Sequence, residues 1–191
     1  MQACTLTASK IACRRGDRLL FAGVDLALVG GHALHIAGPN GIGKSSLIRI
    51  LGGLLRPYEG AVQRAGGTAL LDDHAALDEY RTLGGALAFW NKVDGSPADS
   101  ATFGLGELMD VPVRFLSTGQ RKRAAIARMA AQRAPVWLLD EPLNGLDTDA
   151  VAIVERLVAD HCMAGGIAVI ASHQPFALEN MQRLDLTGFA S

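Results

Sequence analysis

The sequence predicts an α/β fold built on an open, mostly parallel sheet. Two continuous apolar runs, 135–140 and 167–171, are typical of central parallel strands buried on both faces, and a helical pattern at 148–163 lies between them. A glycine-rich loop at 38–45 follows a predicted strand at 32–37. Because strands alternate with helices around this loop, we expect ligands to bind at the carboxyl ends of the strands.

The glycine-rich loop has the pattern G-x-x-x-x-G-K-[ST] of a phosphate-binding loop, in the order Gly38, Pro39, Asn40, Gly41, Ile42, Gly43, Lys44, Ser45. Its glycines let successive backbone N–H groups point inward at phosphate oxygens. A helix predicted at 44–52 directs the positive end of its dipole at the same anion. Lys44 is expected to reach the β- and γ-phosphates, and Ser45 to bind Mg²⁺. We expect nucleotide contacts from all these residues and from Ser46.

The remaining patterns divide the chain around this core. Further strands are predicted at 5–13, at 18–29 with a break near Gly23, at 61–63 and at 68–71. Further helices are predicted at 82–91, 104–110 and 120–132. From about 74 to 112 the pattern becomes helical and less apolar. We expect one domain over residues 1–191.

Composition excludes several classes of protein. The net charge of the 191 residues is −1, so charge provides no drive toward nucleic acid. Cys4, Cys13 and Cys162 have no metal-site spacing, and reduced thiols are the simplest interpretation. The longest apolar runs are interrupted well short of a membrane-spanning length. These features predict a soluble chain that is not exported and has no direct lipid insertion.

Two acidic residues and a histidine follow the buried strands. Asp140 ends the apolar run 135–140 and is expected to hold Mg²⁺ beside Ser45. Glu141 comes next, where a general base can orient the attacking water. His173 follows the next buried strand, from which it can contact the γ-phosphate. This set of residues suits phosphoryl transfer, which needs positioning and a metal ion.

A third motif indicates the family. Leu116-Ser117-Thr118-Gly119-Gln120, followed by a basic helix and the Asp140-Glu141 strand, closely resembles the LSGGQ signature of ABC-type ATPases, with Thr118 in place of the commoner first glycine. Asn144-Gly145-Leu146-Asp147 resembles the D-loop of that family, and His173 resembles its switch histidine. The motifs occur in family order over nearly the whole chain. The resemblance implies a P-loop NTPase that hydrolyses ATP with Mg²⁺. It also implies a RecA-like core, a β-rich N-terminal lobe and a small helical lobe near 75–115.

The same resemblance implies how the subunits combine. ABC-type ATPases form head-to-tail homodimers in which ATP lies between the phosphate-binding loop of one subunit and the signature of the other. For this chain the signature contacts would come from Ser117, Thr118, Gly119 and Gln120, with Asp147 of the D-loop nearby. A helix N-terminus with small residues suits that role, because it offers N–H groups and room for a γ-phosphate.

Two positions depart from the family pattern. The aromatic residue that stacks on adenine is expected near residue 15, where this chain has Arg15. An arginine plane can stack on a base, so we expect binding with weaker base selectivity. The Q-loop glutamine is also absent after strand 68–71, and Asp73 or His74 takes its place. We list His74 as a candidate metal contact there.

Within the family, the resemblance is greatest to the ATP-binding subunits of haem exporters in bacterial cytochrome c maturation. The compact length and three stretches support it: Leu19-Leu20-Phe21, Leu87-Ala88-Phe89-Trp90 and Leu116–Arg123. This likeness implies separately encoded integral membrane partners of the CcmB, CcmC and CcmD type. It implies a peripheral location on the cytoplasmic face of the inner membrane, and ATP hydrolysis that drives haem export or release of a haem-loaded chaperone.

Three other functions match parts of the sequence. One alternative is a subunit of another small ABC transporter. A soluble ABC-type ATPase acting on nucleic acid or ribosomes is disfavoured, because only about 70 residues separate Ser45 from Leu116, too few for the usual long coiled coil. Asn91-Lys92-Val93-Asp94 matches the guanine-recognition motif of GTPases, but it precedes Asp140 and follows a helix-like segment. We therefore reject a GTPase.

Overall fold

A computed structural model describes residues 4–179 and 181–190. Its strands are β1 (Thr5–Arg15), β2 (Arg18–Val29), β3 (Ala33–Ala37), β4 (Glu59–Ala65), β5 (Thr68–Leu71), β6 (Val136–Asp140), β7 (Ile167–Ala171) and β8 (Gln182–Asp185). Its α-helices are α1 (Lys44–Gly52), α2 (Leu83–Asp94), α3 (Thr118–Ala131) and α4 (Thr148–Met163). The α/β class predicted from the sequence is confirmed.

The central sheet brings the predicted site residues to one edge. Five parallel strands run in the order β5-β6-β7-β3-β8. Every residue of β3, β6 and β7 is buried, as their continuous apolar sequences predict. Because neighbouring parallel strands end at the same edge, the loop after β3 lies beside the ends of β6 and β7.

A second, antiparallel sheet has the order β2-β1-β4. Helix α1 packs in one apolar cluster with this sheet and with the parallel sheet, and it contacts β1, β6 and β7. The predicted break near Gly23 is instead an irregularity in a continuous strand. Gly23 has φ +78°, and the pairing of β1 with β2 shifts register between Ile11 and Cys13. This irregularity bends the strand without ending it.

The helical lobe differs from the prediction in one element. Helix α2 begins after Thr82, whose hydroxyl accepts from the Gly85 N–H at 3.2 Å, and it includes the Asn91–Asp94 motif. That motif therefore lies on a helix and not after a buried strand. The helix predicted at 104–110 is wrong: only a 3₁₀ turn forms, at Gly106–Leu108. Two glycines explain the error, since Gly104 has φ +60° and Gly106 lowers helix propensity.

Strand β8 was missed by the sequence analysis. It pairs in parallel with β3, for example Leu34 with Gln182. Three of its four residues, Gln182, Arg183 and Asp185, are polar and exposed, so no apolar run marks it. Across 4–179 and 181–190, no helix combines the length and apolar character needed to cross a bilayer.

Candidate ATP-binding site

The loop between β3 and α1 is shaped by close packing. Gly43, the residue before α1, has φ +117°, and a Cβ there would lie 2.8 Å from a ring carbon of Phe21. A side chain at this position would therefore be both strained and obstructed. Helix α1 starts directly at Lys44, so its first N–H groups face the loop. This is the arrangement that binds an anion at a helix N-terminus.

Lys44 is directed into the site and not into solvent. Its side chain is 6% exposed, and Nζ donates to the carbonyl oxygens of Gly38 at 3.0 Å and Pro39 at 3.3 Å. The same Nζ lies 3.6 Å from Oε1 of Glu141. The ammonium group is thus fixed between the loop and the carboxylate that follows β6.

Ser45 and Asp140 form the second polar pair. The Ser45 hydroxyl donates to Asp140 Oδ1 at 3.0 Å. Burial raises the pKa of Asp140 and the Ser45 hydrogen bond opposes this, while the nearby charges of Asp73 and Glu141 raise the pKa further. A buried carboxylate beside a hydroxyl is an oxygen donor set of the kind that Mg²⁺ prefers, and a cation there would stabilise the ionised acid. These residues therefore fit Mg²⁺.

Glu141 lies between a cation and an imidazole. Its Oε2 is 2.9 Å from His173 Nδ1, while its Oε1 faces Lys44. The carboxylate is 17% exposed and His173 is 42% exposed, so water can reach the pair. The Glu141 backbone has φ +47°, an uncommon conformation for a residue with a side chain, and its N–H donates to the Ala171 carbonyl at 2.8 Å. The strand ends of β6 and β7 hold this geometry.

These groups border a cavity of about 430 Å³, a volume within the range of small-molecule sites. Its lining residues are Arg15, Leu20, Asn40, Gly41, Gly43, Lys44, Ser45, Ser46 and Glu141. The structure thus brings Arg15, from the end of β1, together with the glycine-rich loop. Leu20 was named from the sequence only within the stretch Leu19-Leu20-Phe21 and not as a nucleotide contact, because a single apolar residue in a strand carries no signal for a ligand.

The signature and the D-loop meet within one chain. Ser117 caps α3 in a capping box with Gln120: the Ser117 hydroxyl accepts from the Gln120 N–H at 3.2 Å, and Gln120 Oε1 accepts from the Ser117 N–H at 2.8 Å. Gly119 packs so closely on Gly145 that a Cβ would lie 2.5 Å from its carbonyl oxygen. Asp147 caps α4 by accepting from the Ala150 N–H at 2.8 Å.

The loop after β5 separates the two candidates for the missing glutamine. His74 is exposed, and its Nδ1 lies 3.8 Å from Asp72 Oδ2. Asp73 faces Lys122, with 3.7 Å between its Oδ1 and the Lys122 Nζ. The metal role of His74 stays a prediction, whereas Asp73 is close enough to influence Asp140.

The basic residues after the signature do not form one exposed face. The sequence marks the helix after the signature as basic, but Lys122 in that helix is 9% exposed and its Nζ donates to the Glu141 carbonyl at 3.3 Å. Lys122 shares a helix face with Ile126 and Met129, both buried. The spacing of Lys122 from these two apolar residues was the sequence signal that it is buried.

Comparison with known proteins identifies the family. The family model described as "ABC transporter" matches residues 21–144. A cytochrome c biogenesis ATP-binding export protein CcmA from Novosphingobium aromaticivorans is 56% identical, covering 99% of this chain and 99% of the relative. The CcmA of Sphingopyxis alaskensis is 50% identical over 94% of this chain and 95% of its own. A solved structure of an ABC transporter ATP-binding protein from Pyrococcus furiosus superposes with a TM-score of 0.81 at 18% identity, covering 98% and 100% of the two chains, which shows the shared fold.

The family match and the site agree. Lys44, Ser45, Asp140 and Glu141 converge at the edge of the sheet where the motifs of an ATPase are expected to meet. The two CcmA relatives match the chain over nearly its whole length. The chain therefore belongs to the ABC transporter family and, within it, to the cytochrome c biogenesis ATP-binding export proteins.

Proposed function

We propose that this chain is the ATP-hydrolysing subunit of a membrane complex that exports haem, or releases a haem-loaded chaperone, during cytochrome c maturation. The observation that carries the hydrolytic part is the position of Glu141, held between Lys44 and His173 at the nucleotide cavity. The full-length likeness to the cytochrome c biogenesis export proteins supports the transport part.

ATP binding follows from the loop and the start of α1. The N–H groups around Gly41 and Gly43 donate hydrogen bonds to the phosphate oxygens, and Lys44 adds a cation that is already desolvated. Since Lys44 is held by two loop carbonyls, little side-chain freedom is lost when phosphate binds. Arg15 and Leu20 form the part of the cavity available to the base.

Hydrolysis assigns separate roles to two side chains. Glu141 orients the attacking water and accepts its proton, and its contact with Lys44 keeps the carboxylate directed at the cavity. His173 holds the other carboxylate oxygen. In this proposal it also contacts the γ-phosphate. Ser45 and Asp140 would hold Mg²⁺, which when bound neutralises charge on the phosphates.

Two subunits are needed for a complete site in this proposal. The signature residues Ser117 and Thr118 are exposed at the N-terminus of α3, where they can meet the ATP bound by a second copy. The contact between Gly119 and Gly145 links that surface to the D-loop, so the signature and Asp147 would move together. Partners of the CcmB, CcmC and CcmD type would supply the membrane-spanning part.

We expect membrane attachment to depend on these partners. The exposed Phe89 ring packs edge-to-face on Trp90, and Trp90 lines a cavity in the helical lobe. Such an exposed aromatic surface suits protein contact. The chain expressed alone should remain in the soluble fraction with weak ATPase activity, and it should sediment with inner membranes when the partner subunits are co-expressed. Fractionation of the two strains measures this.

A bacterial strain that lacks the chain provides the control for the biological role. Haem-stained c-type cytochromes should disappear and return with the parent gene, but not with Glu141→Gln. If the chain stays on membranes in cells that lack all the partner subunits, attachment through partners is wrong and direct lipid binding replaces it. Normal c-type cytochromes in the deletion strain would remove the haem role and leave the ATPase.

We also expect weak discrimination between ATP and GTP. Among the described residues that line the nucleotide cavity, none is aromatic, and Arg15 can stack on either base. An unpaired polar group on a base edge costs about 1–3 kcal/mol. The dissociation constants for ATP and GTP should therefore differ by less than about a hundredfold. Fluorescence titration with both nucleotides measures the ratio.

Two arginine variants test whether Arg15 acts on the base. Arg15→Ala should weaken the binding of ATP and of GTP to similar extents, because stacking on a guanidinium plane does not depend on the base edge. Arg14→Ala is the matched control, since Arg14 pairs with Asp17 at 3.2 Å and lies over Tyr58. An ATP preference above about a thousandfold would require a specific hydrogen bond to the base.

A further inference from the structure

The backbone of Glu141 is held in a strained conformation by several contacts. Its φ of +47° is uncommon for a residue with a side chain, and such a conformation persists only when the surroundings determine it. The Glu141 N–H donates to Ala171 at 2.8 Å, and the Glu141 carbonyl accepts from the Asn144 N–H at 3.4 Å. The carbonyl also accepts from Lys122 Nζ at 3.3 Å.

Lys122 differs from the other contacts because it is a buried cation from another element. Its side chain is 8% exposed although it lies on α3, next to the signature. A lysine is rarely this buried unless its charge is paired. Its ion-pair partner is Asp73, at 3.7 Å, in the loop that joins β5 to the helical lobe.

We propose that Lys122 is a positioning residue for hydrolysis, which fixes the Glu141 backbone and connects it to Asp73 in the loop after β5. The proposal rests on the proposed function, in which Glu141 orients the attacking water. Because Lys122 contacts the carbonyl and not the carboxylate, it acts through the direction in which the Glu141 side chain points. If the loop that carries Asp73 moves, the ion pair with Asp73 would displace the Lys122 side chain, and this would change the position of the Glu141 backbone.

The test replaces the cation and keeps the apolar stem. Lys122→Met in the purified full-length chain should lower kcat for Mg·ATP by about ten- to a hundredfold, the value of a charge-assisted hydrogen bond. The dissociation constant for ATP should stay within about threefold of the parent value, because Lys122 lies outside the lining of the nucleotide cavity. Lys122→Arg should restore most of kcat, since it returns a cation with donors.

Matched variants separate positioning from general destabilisation. Lys92→Met makes the same change at an exposed lysine of α2 and should leave kcat unchanged. Asp73→Asn, at a side chain that is 88% exposed, should fold normally and lower kcat severalfold. Adding Asp73→Asn to Lys122→Met should cause a smaller loss than Asp73→Asn causes in the parent, because both changes break one chain of contacts and only the effect of the Asp73 charge on Asp140 is left.

Each outcome decides the proposal. A kcat within twofold of the parent in Lys122→Met overturns it, as does a loss fully explained by a smaller fraction of active sites. If Lys122→Met does not fold, two other variants decide the proposal: Lys122→Gln, which keeps a donor without the charge, and Asp73→Asn. Each should lower kcat and leave the dissociation constant for ATP unchanged, and an unchanged kcat in both overturns the proposal. Glu141→Gln in parallel distinguishes the failures: full activity there removes the proposed role of Glu141, whereas loss there with an active Lys122→Met removes only the role of Lys122.

Discussion

Glu141→Gln is expected to lose ATP hydrolysis by about 10²- to 10⁴-fold, the usual contribution of a general base. The amide has the shape of the carboxylate but cannot accept the proton of the attacking water. It can still contact Lys44 and His173, so the cavity should keep its form. ATP affinity should therefore change little, and dimers should accumulate in ATP because the nucleotide that joins the two subunits persists. Phosphate release, ATP titration and gel filtration with ATP measure the three effects.

The control for this variant is Glu107→Gln. Glu107 is exposed in the 3₁₀ turn of the helical lobe, so its replacement tests the change of charge without the site. Hydrolysis by Glu141→Gln at close to the parent rate would transfer the role of the base to another group. His173 is the next candidate, since it lies 2.9 Å from the same carboxylate.

The core of the site was predictable because its signals are local. The glycine-rich loop has fixed spacing, and β3, β6 and β7 are buried on both faces, so their apolar runs are continuous. Parallel strands with buried faces also imply that their carboxyl ends lie together. For this reason the contacts of Lys44 with Glu141 and of Ser45 with Asp140 agree with the motif-based expectation.

The missed features have different causes, and only the first is a contact between distant residues. Strand β8 is a polar edge strand whose only signal is its pairing with β3. The helix predicted at 104–110 does not form, because Gly104 adopts a left-handed backbone that the apolar spacing of this segment does not reveal. Lys122 was grouped with its basic neighbours by charge, although its spacing from Ile126 and Met129 places it on the buried face of α3.

The two loop residues after β5 show a related limit. The alignment with the family motif puts Asp73 or His74 at the position of the Q-loop glutamine. The sequence alone does not distinguish between these two residues. The difference appears only when the loop is folded: the Asp73 carboxylate turns toward Lys122, while the exposed His74 ring lies beside Asp72. The negative charge of Asp73 raises the pKa of Asp140, an effect that a histidine in the same position would not reproduce.

Lys44→Ala should remove nucleotide binding itself, with an increase of at least about a hundredfold in the dissociation constant for ATP. The variant loses a cation that is 6% exposed, and a buried charge gives stronger hydrogen bonds to phosphate than an exposed one. Two such bonds are worth about 3–6 kcal/mol, which covers the expected change. The carbonyls of Gly38 and Pro39 also lose their shared donor, so the loop becomes less ordered. Equilibrium binding of a fluorescent ATP analogue measures the loss.

Two further variants show which property of Lys44 matters. Lys92→Ala changes an exposed lysine on α2 and should bind ATP like the parent. Lys44→Arg keeps the charge, but a planar guanidinium cannot occupy the narrow space between the loop carbonyls and Glu141 in the same way, so we expect only partial recovery. Full recovery by arginine would mean that charge alone is sufficient. ATP affinity within threefold of the parent in Lys44→Ala would contradict the site, because the phosphates would then be bound by backbone N–H groups without this cation.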